Sequence, residues 1–179
     1  MNPNFKKILA IFIFATLDFL LFGCAGTINT VKDSNNNNIA KYKKAFIISA
    51  ENSQFIKFRF GIITPVAYVI LPDKPPVEHT VIGGTDIVIK QELEKYGIEA
   101  EIGNKDSVPE GIDLIILYSD TWRWDFKKIL DKLDIVFISP ENKAQIAKST
   151  FNIYKNKELH NFPTPQKEVP KMIKELLDK

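Results

Sequence analysis

A short stretch near the start of the chain decides how much of it is left to fold. Lys6 and Lys7 give a basic opening, Ile8 to Phe22 is almost wholly apolar, and Gly23 adds a small residue at its end. The apolar run is 15 residues long and is interrupted once, by Asp18. A helix needs about 20 apolar residues to cross the hydrocarbon core of a bilayer. A basic start, a short apolar core and a small residue before the break are the anatomy of a secretory signal peptide. Residues 1–23 are therefore expected to be removed, and the fold is sought downstream of them.

The end of the run is more specific. Leu21-Phe22-Gly23-Cys24 resembles the lipobox of bacterial lipoproteins. Leu21 and Gly23 match that pattern, whereas Phe22 stands where a smaller residue is usual. The resemblance implies that the Cys24 thiol receives a diacylglycerol, that a peptidase cuts before Cys24, and that the new amino terminus is acylated. Each buried methylene contributes about 0.8 kcal/mol and a single chain binds only reversibly, so several chains on one residue make a lasting anchor. Ala25 rather than Asp follows the Cys. By the enterobacterial sorting rule this implies the outer membrane, facing the periplasm, with the inner membrane and the cell surface as the other addresses. The competing reading is an uncleaved anchor helix that ends in an ordinary Cys.

About 156 residues remain after cleavage, enough for one domain with a real core. A hydrophobic content of 45% and a charged content of 26% are globular values. Losing Lys6, Lys7 and Asp18 leaves a net charge of about +1. That balance gives no field to draw in nucleic acid, and the sequence has no basic stripe. Cys24 is the sole Cys. Once acylated it leaves no thiol for a disulfide, a zinc site or catalysis.

Residues 24–41, with the run Asn35 to Asn38 and few apolar side chains, read as the acylated Cys and a flexible tether. The sixteen residues from Ala25 to Ala40 would reach roughly 20 Å. The folded domain is placed at residues 42–179. Lys44 to Ala50 is an apolar first strand, and Gln54 to Phe60 alternates as a half-buried one. Ile62 to Leu71 is broken by Pro65 and reads as an edge strand or an ordered loop, before the proline loop at Pro72, Pro75 and Pro76. Gly83-Gly84-Thr85-Asp86 opens a helix in which Thr85 is the expected cap and Asp86 suits the positive end of the dipole. Ile89, Leu93 and Tyr96 share its face, Ile82 would fit a start near Thr80, and Gly97 closes it.

Ile98 to Ile102 is a short strand, and Ile112 to Ser119 is the most apolar one, suited to the middle of a sheet. Trp122, Trp124 and Phe126 then alternate with Arg123, Asp125 and Lys127. Phe126 to Leu133 fits either period, and its flanks favour strand. Asp134 to Ser139 and Ala144 to Tyr154 pair across a turn at Pro140 to Lys143. Val169, Met172, Ile173, Leu176 and Leu177 form the stripe of a last helix, with Pro170 expected in its first turn or at its start. The sum is a two-layer α+β domain: a mostly antiparallel mixed sheet with two helices packed on one face.

No constellation announces a reaction. His79 and His160 are the only histidines, and neither has metal-ligand spacing. No metal or cofactor is expected. Ser119, His160 and Asp120 could be drawn as a triad, but no nucleophile elbow supports it. Asp120 and Asp125 beside the Trp pair look locally like a glycoside hydrolase, although strand alternation separates them. Arg123 and Asp125 share a face and could form a surface ion pair. The remaining feature is aromatic: Tyr68, Tyr118, Trp122 and Trp124, beside the loop from Pro65 to Gly84, are a candidate contact surface for an envelope partner. The bland reading puts Trp122 and Trp124 in the core.

Taken together, Cys24, the helix end Leu93-Glu94-Lys95-Tyr96-Gly97-Ile98, Asp113-Leu114-Ile115 leading to Tyr118-Ser119-Asp120, Trp122-Arg123-Trp124-Asp125, the Pro140 to Lys143 hairpin and the last helix resemble the small bacterial lipoproteins built on one α+β domain. The element order is also similar to the N-terminal domain of the Tol system's periplasmic propeller protein. The resemblance implies a non-enzymatic envelope lipoprotein with a structural or accessory role, held to the membrane by lipid and working through a protein partner. The alternative is a periplasmic module that binds a small ligand or glycan with the proline loop and the Trp strand.

Overall fold

The computed structural model describes residues 26–33, 41–49, 54–56, 58–63, 68–72, 83–125, 127–153 and 162–178, with the backbone alone at 54–72, 124, 125 and 127. Its strands are β1 (Gly26–Lys32), β2 (Lys44–Ile48), β3 (Gln54–Ile56), β4 (Phe58–Ile63), β5 (Tyr68–Pro72), β6 (Glu99–Gly103), β7 (Leu114–Asp125), β8 (Lys127–Ile138) and β9 (Gln145–Ile153). Its helices are α1 (Thr85–Lys95) and α2 (Pro165–Leu177).

The two most apolar runs lie side by side. Strands β2 and β7 are parallel, from Ala45 opposite Leu114 to Ile48 opposite Leu117. Both strands are covered on both faces. Ala45, Ile47, Leu114 and Ile116 join the main core, while Phe46, Ile48 and Ile115 form a small cluster on the other side. Burial on two faces is why these runs are continuous rather than alternating. The sheet order is β1-β9-β8-β7-β2-β6, with β3 pairing with β7 beyond the end of β2. The β1, β9, β8 and β7 ladders are antiparallel and long, and those of β2, β3 and β6 are parallel and short. Strands β4 and β5 form a separate antiparallel pair.

Both helices lie on one face. Ile89 and Leu93 of α1 and Val169, Met172, Ile173 and Leu176 of α2 bury against Leu133, Ile135, Phe137 and Phe151 of the sheet. The α+β expectation holds, and so does the strand reading of Phe126 to Leu133, most of which belongs to β8. Helix α1 ends as its sequence dictates. Gly97 sits at φ 76°, its N–H donates to Glu94 O, and the Ile98 N–H donates to Leu93 O. This is the paired closure that a left-handed residue after a helix allows. Tyr96 is already in the cap, which leaves it exposed rather than on the Leu93 face.

Four local expectations are corrected. Gly26–Lys32, read as tether, is an edge strand paired residue for residue with β9. One inward apolar residue, Ile28, one inward hydroxyl, Thr30, and a backbone ladder suffice to dock it. The segment read as one strand from Gln54 to Phe60 is divided between β3, on the main sheet, and β4. The cap of α1 is Gly84 at φ 65°, not Thr85, because the Thr85 side chain is engaged elsewhere. Pro170 lies inside α2, which starts at Pro165. Its ring removes one intrahelical bond, to Gln166, and buried Val169 and Met172 beside it hold the helix in place. A start of α1 near Thr80 falls on residues outside those described.

Candidate functional site

Two polar assemblies sit at opposite ends of the β2–β7 pair. The first arises because β2 and β3 occupy one lane. Ile48 is opposite Leu117 and Gln54 is opposite Thr121, so the chain uses six residues where β7 uses four. At this break the first turn of α1 is tied to both neighbours. The Ser49 hydroxyl donates to Asp86 Oδ2 at 3.0 Å, and Asp86 Oδ1 accepts the Ile87 N–H at 2.8 Å. The Thr85 hydroxyl donates to Asp120 Oδ2 at 2.7 Å, with Thr85 0% and Asp120 1% exposed. Each hydroxyl gives its proton straight to a carboxylate, and no imidazole stands between them. What this arrangement does is fasten α1 to the sheet.

The second assembly is an open cleft of about 350 Å³ lined by Lys41, Tyr42, Ile112, Asp113, Ser139, Pro140, Glu141 and Asn142. Asp113 Oδ2 accepts the backbone N–H groups of Lys43 and Lys44, both at 3.0 Å. Those two amides, Lys43 first, hold the carboxyl below its ordinary range, against a small opposing effect of burial. The far wall is the β8–β9 turn. Lys143 sits there at φ 58°, its N–H donates to Ser139 O, and Asn142 Oδ1 accepts the Ala144 N–H at 3.0 Å. The lining mixes Lys41 with Asp113 and Glu141, which suits a polar, solvated contact. Among the described residues no group of three or more His, Cys, Asp or Glu could hold a metal ion.

Two of the four residues of the candidate contact surface are in the core. Tyr118 and Trp122 are only 4% and 3% exposed and belong to the main core. The Trp122 ring packs directly on Gly83, where an added Cβ would lie 2.6 Å from it. Among the described residues its indole N–H finds no hydrogen-bond partner. Tyr68 lies on β5 and Trp124 on β7 opposite Lys128, and their side chains are outside the described ones. Cys24, His79 and His160 are also outside the described residues. The drawn triad therefore has only Ser119 and Asp120 in view, and Asp120 is bound to Thr85. Arg123 reaches Asp131 across the hairpin, at 3.6 Å; the side chain of Asp125, its expected partner, is outside the described ones. The Thr85–Asp120 bond and the Asp113 clamp were missed by sequence reasoning. Both join residues far apart in the chain, and no spacing rule connects them.

No protein-family model matches the chain, and no curated protein matches it. Its fold is shared by solved bacterial proteins. A DUF4136 family protein from Bacteroides thetaiotaomicron matches with a TM-score of 0.50 at 9% identity, covering 86% of this chain and 97% of that one. The PelC dodecamer from Paraburkholderia phytofirmans matches with a TM-score of 0.49 at 11% identity over 85% and 94% of the two chains. A Xanthomonas campestris protein of the DUF330 family matches with a TM-score of 0.35 at 8% identity over 86% and 91%. At such identities the likeness is one of fold alone, that of an α+β domain.

Proposed function

We propose that this chain is a lipid-anchored bacterial cell-envelope protein, which holds a non-catalytic α+β domain beside a membrane and presents it to a protein partner. The observation that carries this reading is an adjacency. The lipobox-like Leu21-Phe22-Gly23-Cys24 stands one residue, Ala25, ahead of a strand that is built into the sheet. Acyl chains on Cys24 would therefore pull on the folded body itself. The polar cleft between Tyr42 and Asn142 is the surface offered to the partner. The address that fits Ala25 is the outer membrane, facing the periplasm. Of the features behind the ligand-binding alternative, Trp122 is a core residue.

The test is to express the full chain in a bacterial host and weigh the membrane-extracted polypeptide. The expected product begins at Cys24 and carries acyl mass, and Cys24→Ser yields an unacylated, uncut chain. A native polypeptide that begins at Met1 without acyl mass overturns the reading. Crosslinking of the acylated protein in its own envelope then identifies the partner.

A further inference from the structure

We propose that β1 is a fixed strap rather than a tether: it joins the lipid anchor to the sheet so closely that the folded body is held against the bilayer surface. The inference deepens the lipid-anchor reading and rests on it.

The strap begins almost at the anchor. From Cys24 to Gly26 there are two peptide steps, which span at most about 7 Å. A flexible stretch from Ala25 to Ala40 would reach roughly 20 Å instead. The residues after Ala25 add no such slack. All seven residues of β1 pair with β9, from Gly26 opposite Ile153 to Lys32 opposite Ala147, without a shift of register. The Asp33 N–H carries the ladder one step further, to Ile146 O at 2.8 Å. Gly26 lies so close to β9 that an added Cβ would meet Asn152 O at 2.2 Å.

Side chains fasten the strap to both layers of the domain. Ile28 packs against the main core. The Thr30 hydroxyl is bonded to Ser149 of β9 and to Glu175 of α2. Lys32 Nζ donates to the carbonyl of Asp178, where α2 ends. Peeling β1 away to lengthen the leash would break its ladder and leave the Ser149 hydroxyl, 0% exposed, without Thr30.

Two distances follow. Asn152 stands opposite Thr27, diagonal to Gly26. With neighbouring strands about 5 Å apart, it lies about 6 Å from Gly26 and within about 13 Å of Cys24, however the body is tilted. The body in turn reaches no further from the bilayer than its own length. Its longest strands, β7 and β8, have 12 residues each and span about 40 Å. The partner that such a body fits is therefore a protein of the same membrane, with its contact face within about 50 Å of that bilayer.

The full-length protein carrying Asn152→Cys tests this, because acylation of Cys24 leaves the new thiol as the only one. Position 152 is exposed. It is labelled with a fluorescent dye, and the protein is reconstituted in phosphatidylethanolamine/phosphatidylglycerol vesicles whose headgroups carry a nitroxide. A second form has sixteen Gly and Ser residues inserted between Ala25 and Gly26, which gives a reach of roughly 20 Å and lies outside β1. Mass spectrometry of the same samples reports the acyl chains. The expected result is acyl mass in both forms, with quenching several-fold weaker in the form with the insertion. Acyl mass with quenching equal or greater in that form overturns the strap and leaves the anchor standing. Absence of acyl mass overturns the anchor, and the strap with it.

Discussion

Strand β1 is the least expected part of the fold, and Thr30→Val tests whether it docks. Thr30 Oγ1 lies 2.7 Å from Glu175 Oε2 and 2.9 Å from Ser149 Oγ. The hydroxyl has one proton, and a carboxylate can only accept, so Thr30 donates to Glu175 and Ser149 donates to Thr30. Valine keeps the branched shape and deletes the oxygen. The exposed bond to Glu175 matters little. The Ser149 hydroxyl is 0% exposed and would be left without its acceptor, which costs about 1–3 kcal/mol. For a domain of this size each kcal/mol moves Tm by roughly 2–4 °C, so a fall of about 2–12 °C is expected. Thermal and urea unfolding of the soluble body lacking its leader read this out. Adding Ser149→Ala should restore most of the loss, since it removes the stranded hydroxyl, and the double-mutant cycle measures that coupling. A Thr30→Val protein within about 0.5 kcal/mol of the parent would refute the docking, because surface substitutions away from such contacts fall in that range.

Two further outcomes follow from the same geometry. Trp122→Ala should cost about 3–5 kcal/mol in urea denaturation, as the loss of a large buried ring does, and full stability with a lost partner contact would make the ring a binding residue after all. For Asp134, burial alone would raise the carboxyl, but the Thr150 hydroxyl at 2.6 Å and the Lys132 and Lys148 ammoniums outweigh it and leave it below its ordinary range. A depressed carboxyl stabilises the fold above its unfolded pKa, and the contribution is lost as pH falls through the folded value. The stability gap between the parent and Asp134→Asn should therefore be full at neutral pH and close below about pH 4, and a gap unchanged across that acid range would contradict it.

Much of this architecture was legible because period and punctuation agree with burial. Ile112 to Ser119 and Lys44 to Ala50 read as buried strands and are the parallel centre of the sheet. Leu93 to Ile98 carries its own stop signal, and Gly97 uses it. What was not legible came from partners distant in sequence. A stretch with one inward Ile looks like linker until β9 is there to pair with it. Thr85 before an apolar helical face looks like a cap, and only the fold brings Asp120 to its hydroxyl. Trp122 and Trp124 in alternation with charges left two readings open, a core face or a partly exposed strip. For Trp122 the decision lay with Gly83, whose missing side chain leaves room for the ring against the residues that lead into α1.

The break between β2 and β3 links these observations into one physical argument. A parallel strand that continued unbroken beside β7 would leave no opening for the first turn of α1. Six residues used against four let the chain step aside at Ser49, and the opening is filled by Thr85 and Asp86 from the helix and Asp120 from β7. The carboxylates then lie where the helix presents its unbonded N–H groups, which favours negative charge. Buried hydroxyl–carboxylate pairs of this kind are weak as glue but strict in geometry, because either partner left alone would be costly. They fix the angle at which α1 crosses the sheet and hold Gly83 over Trp122. The ring stays in the core beside the bulge that the β7–β8 ladder makes between Thr121 and Trp122.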